Sequence, residues 1–429
     1  MRLLTRSIAL AAAILPFLPF TEWPTSMACV TALSPVVSLS AALGARHLAL
    51  LTLMCLPLII LAFFKHRWFC WNLCPTGFIL ELTSLRRRAQ EQLTAGRPAS
   101  FACMAAGFPH LGKWLLVLGI GMAAAGYPLL IVFDPLNILS GFLSTWQWRN
   151  IEWKVFAPAL PLLALVALNI FRPNLWCHRL CPLGVAQQFL GMAGRRFHNQ
   201  PAPPQAEQVG FSGCSPSIGE AAKIQEPVPP PGVKRRFFLM ALLGGMAGWA
   251  LTVNKSRAVV VRPPGAVNEN IFTGLCSRCG HCINVCPESI VIPDFGSSGL
   301  RGLLTPVLRY SRGYCNEWCS KCLLACPTTA IRRLSLEQKR ATVIGTARID
   351  KSLCLAWSKQ QDCMVCQEFC PYQAVAIVKN GGVNCPEVKE EVCRGCGACE
   401  SQCPAIPEKA ITVRGAPAQR TVSVNYSPN

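Results

Sequence analysis

Long apolar runs separated by basic clusters dominate the first 253 residues. Each run approaches the roughly 20 apolar residues that an α-helix needs to cross a ~30 Å hydrocarbon layer. The pattern predicts an all-α membrane domain of four helices over residues 1–198, followed by a fifth, anchoring helix. The five candidate spans are Leu3–Phe20, Leu48–Phe64, Trp114–Phe133, Val155–Phe171 and Phe237–Val253.

The distribution of lysine and arginine predicts how these spans are oriented. A cleaved signal peptide is an alternative for the first span, which is short and carries Arg2 and Arg6. We expect an uncleaved helix, because three further spans must keep their orientation. The basic clusters place both ends of the four-span unit in the cytoplasm, so that the less basic loops 21–45 and 134–153 lie outside.

A polar, proline-rich segment over residues 199–233 predicts an extended cytoplasmic linker. A Lys-Arg-Arg-Phe-Phe-Leu sequence begins at Lys234 and fits the twin-arginine export pattern, with an ordinary basic flank as the alternative. Residues 234–253 are therefore predicted to be an export signal that stays as an anchor. The remaining domain, 254–429, is predicted to lie in the periplasm of a bacterium, attached to the inner membrane.

Composition and charge agree with a membrane protein. The chain is 52% hydrophobic and only 14% charged, against about 25% charged residues in average soluble proteins. Its net charge of +20 is a feature of many nucleic-acid-binding proteins. Here, however, the basic residues flank apolar runs and are not interleaved with aromatic residues. We therefore expect no nucleic-acid partner.

Cysteine is unusually abundant, with 25 residues, of which 17 lie in residues 254–429. Three thiolates in one tight loop, and a fourth just before proline, are typical of [4Fe-4S] ferredoxins, in which the fourth cysteine ligates the other cluster of a pair. The spacing predicts an α+β ferredoxin-like domain with four [4Fe-4S] clusters. The cysteine ligands, in motifs one to four, are Cys276, Cys279, Cys282, Cys286; Cys315, Cys319, Cys322, Cys326; Cys354, Cys363, Cys366, Cys370; and Cys393, Cys396, Cys399, Cys403.

Structural zinc and disulfides are the alternatives, and both are disfavoured, because zinc sites use separated cysteine pairs and not tetrads that end in Cys-Pro. The pairing stays open: motif one pairs with two and three with four, or one with four and two with three. Gly280, Gly395 and Gly397 are predicted to let backbone amides approach the cluster sulfides. Short strands are predicted after each Cys-Pro, over 290–292, 330–331, 374–377 and 410–413.

Two further motifs form an internal repeat at the inner edge of the second and fourth spans. Each reads Cys-x3-Cys-Pro-x-Gly and is followed by arginines; the cysteines are Cys70, Cys74, Cys177 and Cys181. Brought together by pseudo-symmetry, they offer four ligands for one further cluster; a redox-active or a structural thiol pair is the alternative. The remaining cysteines are predicted to be spectators: Cys29, Cys55, Cys103, Cys214 and Cys385.

These motifs carry a family resemblance. Residues 1–198, with paired Cys-x3-Cys-Pro motifs, resemble NapH, the membrane component of a quinol dehydrogenase. Residues 234–429 resemble its exported ferredoxin-type partner NapG, in the twin-arginine leader, the Cys-x8-Cys-x2-Cys-x3-Cys-Pro third motif and Cys393-Arg394-Gly395-Cys396 of the fourth. MauN and MauM resemble the same two halves. Unlike the NapH family, the chain has no cytoplasmic Cys-x2-Cys-x2-Cys motif after the last span of its membrane half.

The resemblance implies a quinol dehydrogenase module that passes electrons from the quinone pool to a periplasmic cytochrome, reductase or dehydrogenase. The exported domain carries 21 basic and 13 acidic residues, and this excess favours an acidic partner. Its catalytic residues are not identified. Asp134, Glu81 and Glu152 are candidate proton acceptors, with solvated flank residues as the default interpretation. The rival functions are a maturation protein like NosR or CcoG, and reversed electron flow from a periplasmic dehydrogenase into quinone.

Overall fold

The computed structural model describes residues 2–18, 24–65, 67–83, 111–145, 153–171, 175–197, 235–253 and 260–422. The chain forms two compact units, one of residues 1–15, 30–139 and 159–249, the other of residues 16–29, 140–158 and 250–429. The predicted domain boundaries do not separate these units, because two segments of the apolar half belong with the cysteine-rich half. The predicted linker 199–233 and Lys234 lie outside the described residues.

The described chain is helical up to residue 253. Several helices begin at a proline, whose fixed φ suits the first helical turn. Residues 75–83 are also helical, and 3-10 turns precede or follow several helices. The α-helices are α1 (Arg2–Ile14), α2 (Pro24–Ala32), α3 (Pro35–Ala45), α4 (Leu56–Phe64), α5 (Trp68–Asn72), α6 (Leu111–Ala124), α7 (Pro135–Ser144), α8 (Leu160–Phe171), α9 (Pro182–Phe197) and α10 (Arg235–Val253).

Two regions predicted to be extracytoplasmic loops are helical in the structure, and the prediction of only four helices before the anchor is therefore wrong. Helices α2 and α3 occupy 24–45, and α7 occupies 135–144. Small and hydroxyl-bearing residues of these helices are buried, among them Ala28, Ser38 and Ser140. The Ser38 hydroxyl donates to the Ala32 carbonyl at 2.7 Å, which satisfies a polar group inside the packed helices.

No described helix, taken singly, combines the length and hydropathy needed to cross a membrane, whereas the pair α2 and α3, bent by 100°, meets the same criteria of length and composition. The five predicted spans appear as apolar helices of 10–17 residues: Leu3–Phe17, Leu50–Phe64, Leu111–Ala124, Phe156–Phe171 and Phe237–Leu251.

Helix α10 packs closely against α6. The rings of Trp114 and Phe237 stack with their centroids 5.2 Å apart. A Cβ atom placed on Gly244 lies 2.5 Å from the Leu118 carbonyl oxygen, too close for any side chain. Helix backbones approach this closely where small residues line the contact. The glycine therefore sets the distance between the two helices.

We expect Gly244→Ala to destabilise the protein by about 1–3 kcal/mol, the usual cost of overpacking. Gly245→Ala is the matched control, because the nearest atom to its added Cβ is the Gly121 carbonyl oxygen at 3.9 Å. Alanine favours a helix over glycine by about 1 kcal/mol, so the control should be neutral or stabilising. Thermal unfolding in detergent measures both variants, and equal transition temperatures would contradict the packing described here.

The cysteine-rich region is built from two-stranded antiparallel sheets and short helices. Strand β1 (Val291–Pro293) pairs with β2 (Pro306–Leu308), β3 (Thr342–Ile349) with β6 (Ile411–Thr421), and β4 (Val375–Asn380) with β5 (Val383–Val388). The helices are α11 (Glu269–Leu275), α12 (His281–Asn284), α13 (Lys321–Ala325), α14 (Leu336–Ala341), α15 (Leu355–Ser358), α16 (Val365–Glu368) and α17 (Ala398–Gln402).

The predicted short strands are present after three of the four Cys-Pro sequences, in β1, β4 and β6. After the second, Ile331 forms an isolated bridge to Ala266. The core around β3, β4 and β6 consists largely of alanines, short apolar residues and the cysteines themselves. So small an apolar core needs support from bound cofactors, because ligation of a metal centre stabilises the fold directly.

Candidate iron–sulfur sites

Sixteen cysteines gather around four cavities, four to each. In every cavity three cysteines come from one motif and the fourth, the one before proline, comes from a neighbouring motif. Cavity one is lined by Cys276, Cys279, Cys282 and Cys326; cavity two by Cys286, Cys315, Cys319 and Cys322; cavity three by Cys354, Cys363, Cys366 and Cys403; and cavity four by Cys370, Cys393, Cys396 and Cys399. Motif one therefore exchanges its last cysteine with motif two, and motif three with motif four.

The sequence leaves two pairing schemes open, and this exchange agrees with the adjacent one. It arises from the short helices α12, α13, α16 and α17, each of which begins beside the third cysteine of its motif and ends near the fourth. One helical turn carries the chain from one cavity to the next, and the following proline directs it away. The pairs are thus one with two and three with four.

The donor sets fit [4Fe-4S] clusters. Each of the four cavities is lined by four cysteines, the ligand count of one cubane cluster. Among the described residues, no group of three or more His, Cys, Asp or Glu side chains is arranged to hold a single metal ion. In a cubane cluster each of the four thiolates binds a different iron atom. The four sulfurs therefore lie further apart than the ligands of a single metal ion.

Glycine shapes the motif-four loop for a reason that the sequence does not reveal. Gly397 has a φ of 82°, in the left-handed region that favours glycine. A Cβ on Gly397 would collide with the ring of Tyr310, whose hydroxyl donates to the Gly395 carbonyl at 2.7 Å. Close packing against a protein ring therefore requires glycine here. The predicted role, access of amides to the cluster sulfides, stays a prediction.

Backbone amides already donate to several cysteine sulfurs. Ala374 N–H donates to the Cys370 sulfur at 3.3 Å. The Cys326 and Cys393 sulfurs each accept at 3.4 Å, from Ile331 and Ala347. All three acceptors are cysteines of cavities one and four, and such hydrogen bonds stabilise negative charge on sulfur. They therefore raise the reduction potential of a cluster held there.

Burial favours the neutral thiol at two of these cysteines. Loss of solvent raises the pKa of Cys276 to about 12 and that of Cys315 to about 11. The Lys339 ammonium opposes the second shift. Lys339 is itself buried, and it donates to the Asn316 and Cys319 carbonyls of the motif-two loop. Sequence reasoning missed this lysine, because its position on α14 is distant from the loop along the chain.

The two Cys-x3-Cys-Pro repeats also come together, within the first unit. Arg67, three residues before Cys70 of the first repeat, donates to the Cys177 carbonyl of the second repeat at 3.0 Å, so the two repeats contact each other. In each repeat a proline starts a helix directly after the second cysteine, and the glycine two residues beyond donates its N–H to that sulfur, Gly77 at 3.3 Å and Gly184 at 3.5 Å. The two repeats therefore lie against each other, and each contributes two thiols.

Two arginines that sequence reasoning did not assign to this site contact it. Arg67 donates to the Cys177 carbonyl at 3.0 Å, and Arg6 donates to the Cys70 carbonyl at 3.4 Å. The backbone carbonyl of the first cysteine in each repeat thus accepts a hydrogen bond from an arginine guanidinium. Four thiolates around a cluster carry net negative charge, which two nearby cations offset.

Asp134 is buried, which corrects its interpretation as a solvated flank residue. Its side chain is 0% exposed. It accepts hydrogen bonds from the Ser34 hydroxyl at 2.5 Å and from Leu136 N–H at 3.0 Å. Glu81 is partly buried and paired with Arg6. Glu152 lies outside the described residues.

Three of the five predicted spectator cysteines lie within the described residues. Cys55 and Cys385 are buried and donate weakly to the carbonyls of Thr52 and Ala356. Cys29 is half-buried. Cys103 and Cys214 lie outside the described residues.

Comparison with known proteins agrees with iron–sulfur chemistry. The family model Fer4_5, "4Fe-4S binding domain", matches residues 46–91 and 155–200, so that each match contains one Cys-x3-Cys-Pro repeat. These two matches make up less than half of the chain. No solved structure matches the chain.

Characterised ferredoxin-type proteins match a longer part of the chain. The methylamine utilization ferredoxin-type protein MauM of Methylobacillus flagellatus is 32% identical over 185 residues, which are 41% of this chain and 77% of MauM. NapG of Escherichia coli is 33% identical over 204 residues, 43% of this chain and 86% of NapG. NapF of Haemophilus influenzae is 33% identical over 37% of this chain and 81% of NapF. The chain belongs to this family of iron–sulfur ferredoxin-type electron-transfer proteins.

Proposed function

We propose that this chain is a multi-pass protein of the bacterial inner membrane that oxidises quinol. It passes the electrons one at a time, through four [4Fe-4S] clusters in a periplasmic domain, to a redox partner such as a cytochrome or a reductase. In this proposal a NapH-like membrane component and a NapG-like ferredoxin component are joined in one polypeptide.

The observation that carries the proposal is the arrangement of sixteen cysteines in four cavities within one compact unit. Each cavity offers four thiolates, the ligand count of a [4Fe-4S] cluster. When bound, such clusters supply one-electron redox chemistry. The cysteines hold the irons, while amide hydrogen bonds to Cys326, Cys370 and Cys393 adjust the potentials.

The quinol half of the proposal depends on the first unit. Quinol gives up protons as well as electrons, and Asp134 and Glu81 are carboxylates that can take them. Ser34 and the amide of Leu136 hold the Asp134 oxygens in place. Cys70, Cys74, Cys177 and Cys181 hold one further cluster in this proposal, and Arg6 and Arg67 offset its charge. The match of both repeats to a 4Fe-4S binding domain supports this assignment.

Rapid mixing with a short-chain quinol analogue tests the function directly. We expect the cluster absorbance near roughly 400 nm to bleach in the anaerobically purified full-length protein. Bleaching by a periplasmic dehydrogenase, with release of electrons to quinone, would instead indicate the reverse direction. Clusters that remain intact but insensitive to quinol would favour a maturation role like that of NosR or CcoG.

The double variant Cys70→Ala/Cys177→Ala should lose bleaching by quinol but keep bleaching by dithionite. Its iron content should fall from about 20 to about 16 atoms per chain, because one cubane is lost. Cys55→Ala is the matched control, since Cys55 is also a buried cysteine of the apolar half and is predicted to be a spectator. An unchanged iron content in the double variant would exclude the further cluster.

A further inference from the structure

We propose that electrons move through the four cavities in the order one, two, four, three, entering at cavity one and leaving at cavity three. The order differs from the order of the motifs in the sequence. It rests on the proposed function for its starting point, and on contacts within the second unit for its sequence of steps.

The first and last steps follow from the shared motifs. Cys282 of cavity one and Cys286 of cavity two are joined by the single turn of α12. Cys366 of cavity three and Cys370 of cavity four are joined in the same way by α16. In each pair, a ligand of one cavity is therefore about one helical turn of backbone, roughly 5 Å of rise, from a ligand of the other.

The middle step follows from a direct contact between cavities two and four. The Cys315 N–H donates to the Cys396 carbonyl at 2.8 Å, so that a ligand of cavity two is hydrogen-bonded to a ligand of cavity four. Tyr310 strengthens this junction, because its hydroxyl donates to the Gly395 carbonyl and its ring packs on Gly397. The contacts among the described residues thus link one to two, two to four, and four to three.

Two segments of the apolar half belong to the second unit, and both contact cavity one. Gly280, which lines cavity one, is so close to residues 144 and 158 that an added Cβ would lie 2.5 Å from the Ser144 hydroxyl oxygen and 3.2 Å from Pro158 Cγ. The next residue, His281, packs edge-on against Phe17 with 5.4 Å between ring centroids. These segments belong to the second unit and continue along the chain into helices of the first unit, where quinol oxidation is proposed to occur.

Cavity three is the opposite end of the series. Ile406 follows Pro404 and Ala405, which line this cavity, and is 91% exposed. Pro404 is itself exposed, so this part of the rim of cavity three faces solvent, where the proposed acceptor would bind. With clusters held by these cysteines, each step would move one electron from a reduced centre to an oxidised one without making or breaking a bond, and the acceptor would gain one electron for each electron that leaves cavity three. The fold sets the order by placing the centres next to each other.

Two matched variants test the order. Cys366→Ala leaves cavity three with three of its four cysteine ligands, and Cys396→Ala does the same to cavity four, so that each variant should lose the cluster of that cavity. In Cys366→Ala, a quinol analogue should still reduce about three clusters, those of cavities one, two and four, if each cavity holds one cubane. Cys396→Ala should leave about two, because cavity three is then cut off. Electron paramagnetic resonance measures the number of clusters that the quinol analogue reduces, and the number that dithionite reduces in the same variant is the reference.

Two results would overturn the order. If both variants retain about three quinol-reducible clusters, the cavities accept electrons independently; if Cys396→Ala retains more than Cys366→Ala, the last two steps are reversed. A variant that loses more than about four irons per chain is replaced by Cys399→Ser for cavity four or Cys363→Ser for cavity three, and the same comparison is made.

Magnetic coupling in dithionite-reduced protein separates failure of the order from failure of the proposed function. Neighbouring reduced clusters broaden each other's resonance signals. Cys396→Ala should sharpen the signals of both cavity two and cavity three, whereas Cys366→Ala should sharpen only that of cavity four. If wild-type protein ignores quinol but shows this coupling pattern, the proposed quinol oxidation is wrong and the order of cavities stands.

Discussion

Replacing Cys286 and Cys322 together with alanine should cost the protein one cluster, whereas replacing Cys286 and Cys282 together should cost it two. Cys286 and Cys322 line the same cavity although they belong to different motifs, and Cys282 lines another cavity although it shares a motif with Cys286. Each [4Fe-4S] cluster holds four irons, so the two double variants should lose about four and about eight irons per chain.

The comparison works because both double variants share one substitution and carry the same number of lost thiols. Losses at one shared site are not additive, whereas losses at separate sites are. Iron analysis together with the intensity of the reduced-cluster resonance signal measures the outcome. If Cys286→Ala/Cys282→Ala lost only one cluster, each motif would ligate its own cluster and the exchange of fourth cysteines would be wrong.

The sequence predicts which cysteines act together locally but not how the motifs pair. The x2, x2, x3 spacing places the cysteines of one motif in one loop and one helical turn. Their proximity in space therefore follows from their proximity in the sequence. The pairing depends on contacts between segments that are far apart in sequence, such as the hydrogen bond from Cys315 to Cys396. Both pairing schemes satisfy the spacing equally, and only the tertiary contacts distinguish them.

The apolar runs likewise predict five helices but not the helices that lie between them. The segment 24–45 is apolar, but it is broken into two short helices bent by 100°, and its Ser34, Ser38 and Ser40 are buried. Their hydroxyl groups find acceptors inside the fold, Ser34 on Asp134 and Ser38 on the Ala32 carbonyl. A buried carboxylate such as Asp134 is equally invisible to a pattern that treats every charge as solvent-exposed.

Arg262→Met should destabilise the second unit by about 3–5 kcal/mol, because it leaves the Glu269 carboxylate buried without its partner. The two side chains are only 4% and 11% exposed. The Arg262 guanidinium also donates to the Thr305 hydroxyl and to the Pro306 carbonyl, both at 2.8 Å, and lies 4.9 Å from the centroid of the Phe272 ring.

The location of this ion pair gives its loss a functional consequence. Phe272 and Pro306 both line cavity one, where electrons are proposed to enter. Arg262→Met should therefore release iron from cavity one first, and quinol should then no longer reduce the clusters of the other three cavities. Arg348→Met is the control, because Arg348 and Glu390 are 59% and 61% exposed and 3.7 Å apart. An exposed pair of this kind contributes at most about 1 kcal/mol.

Urea titration of cluster absorbance compares the two variants. With a dependence of about 1–3 kcal/mol per molar urea, Arg262→Met should lower the midpoint of cluster loss by at least ~1 M, while Arg348→Met should leave it within ~1 M of wild type. Equal midpoints would mean that the buried pair contributes no more than the exposed one. If Arg262→Met lost the clusters of all four cavities together, the second unit would unfold as one body. The expectation that cavity one loses its iron first would then be wrong.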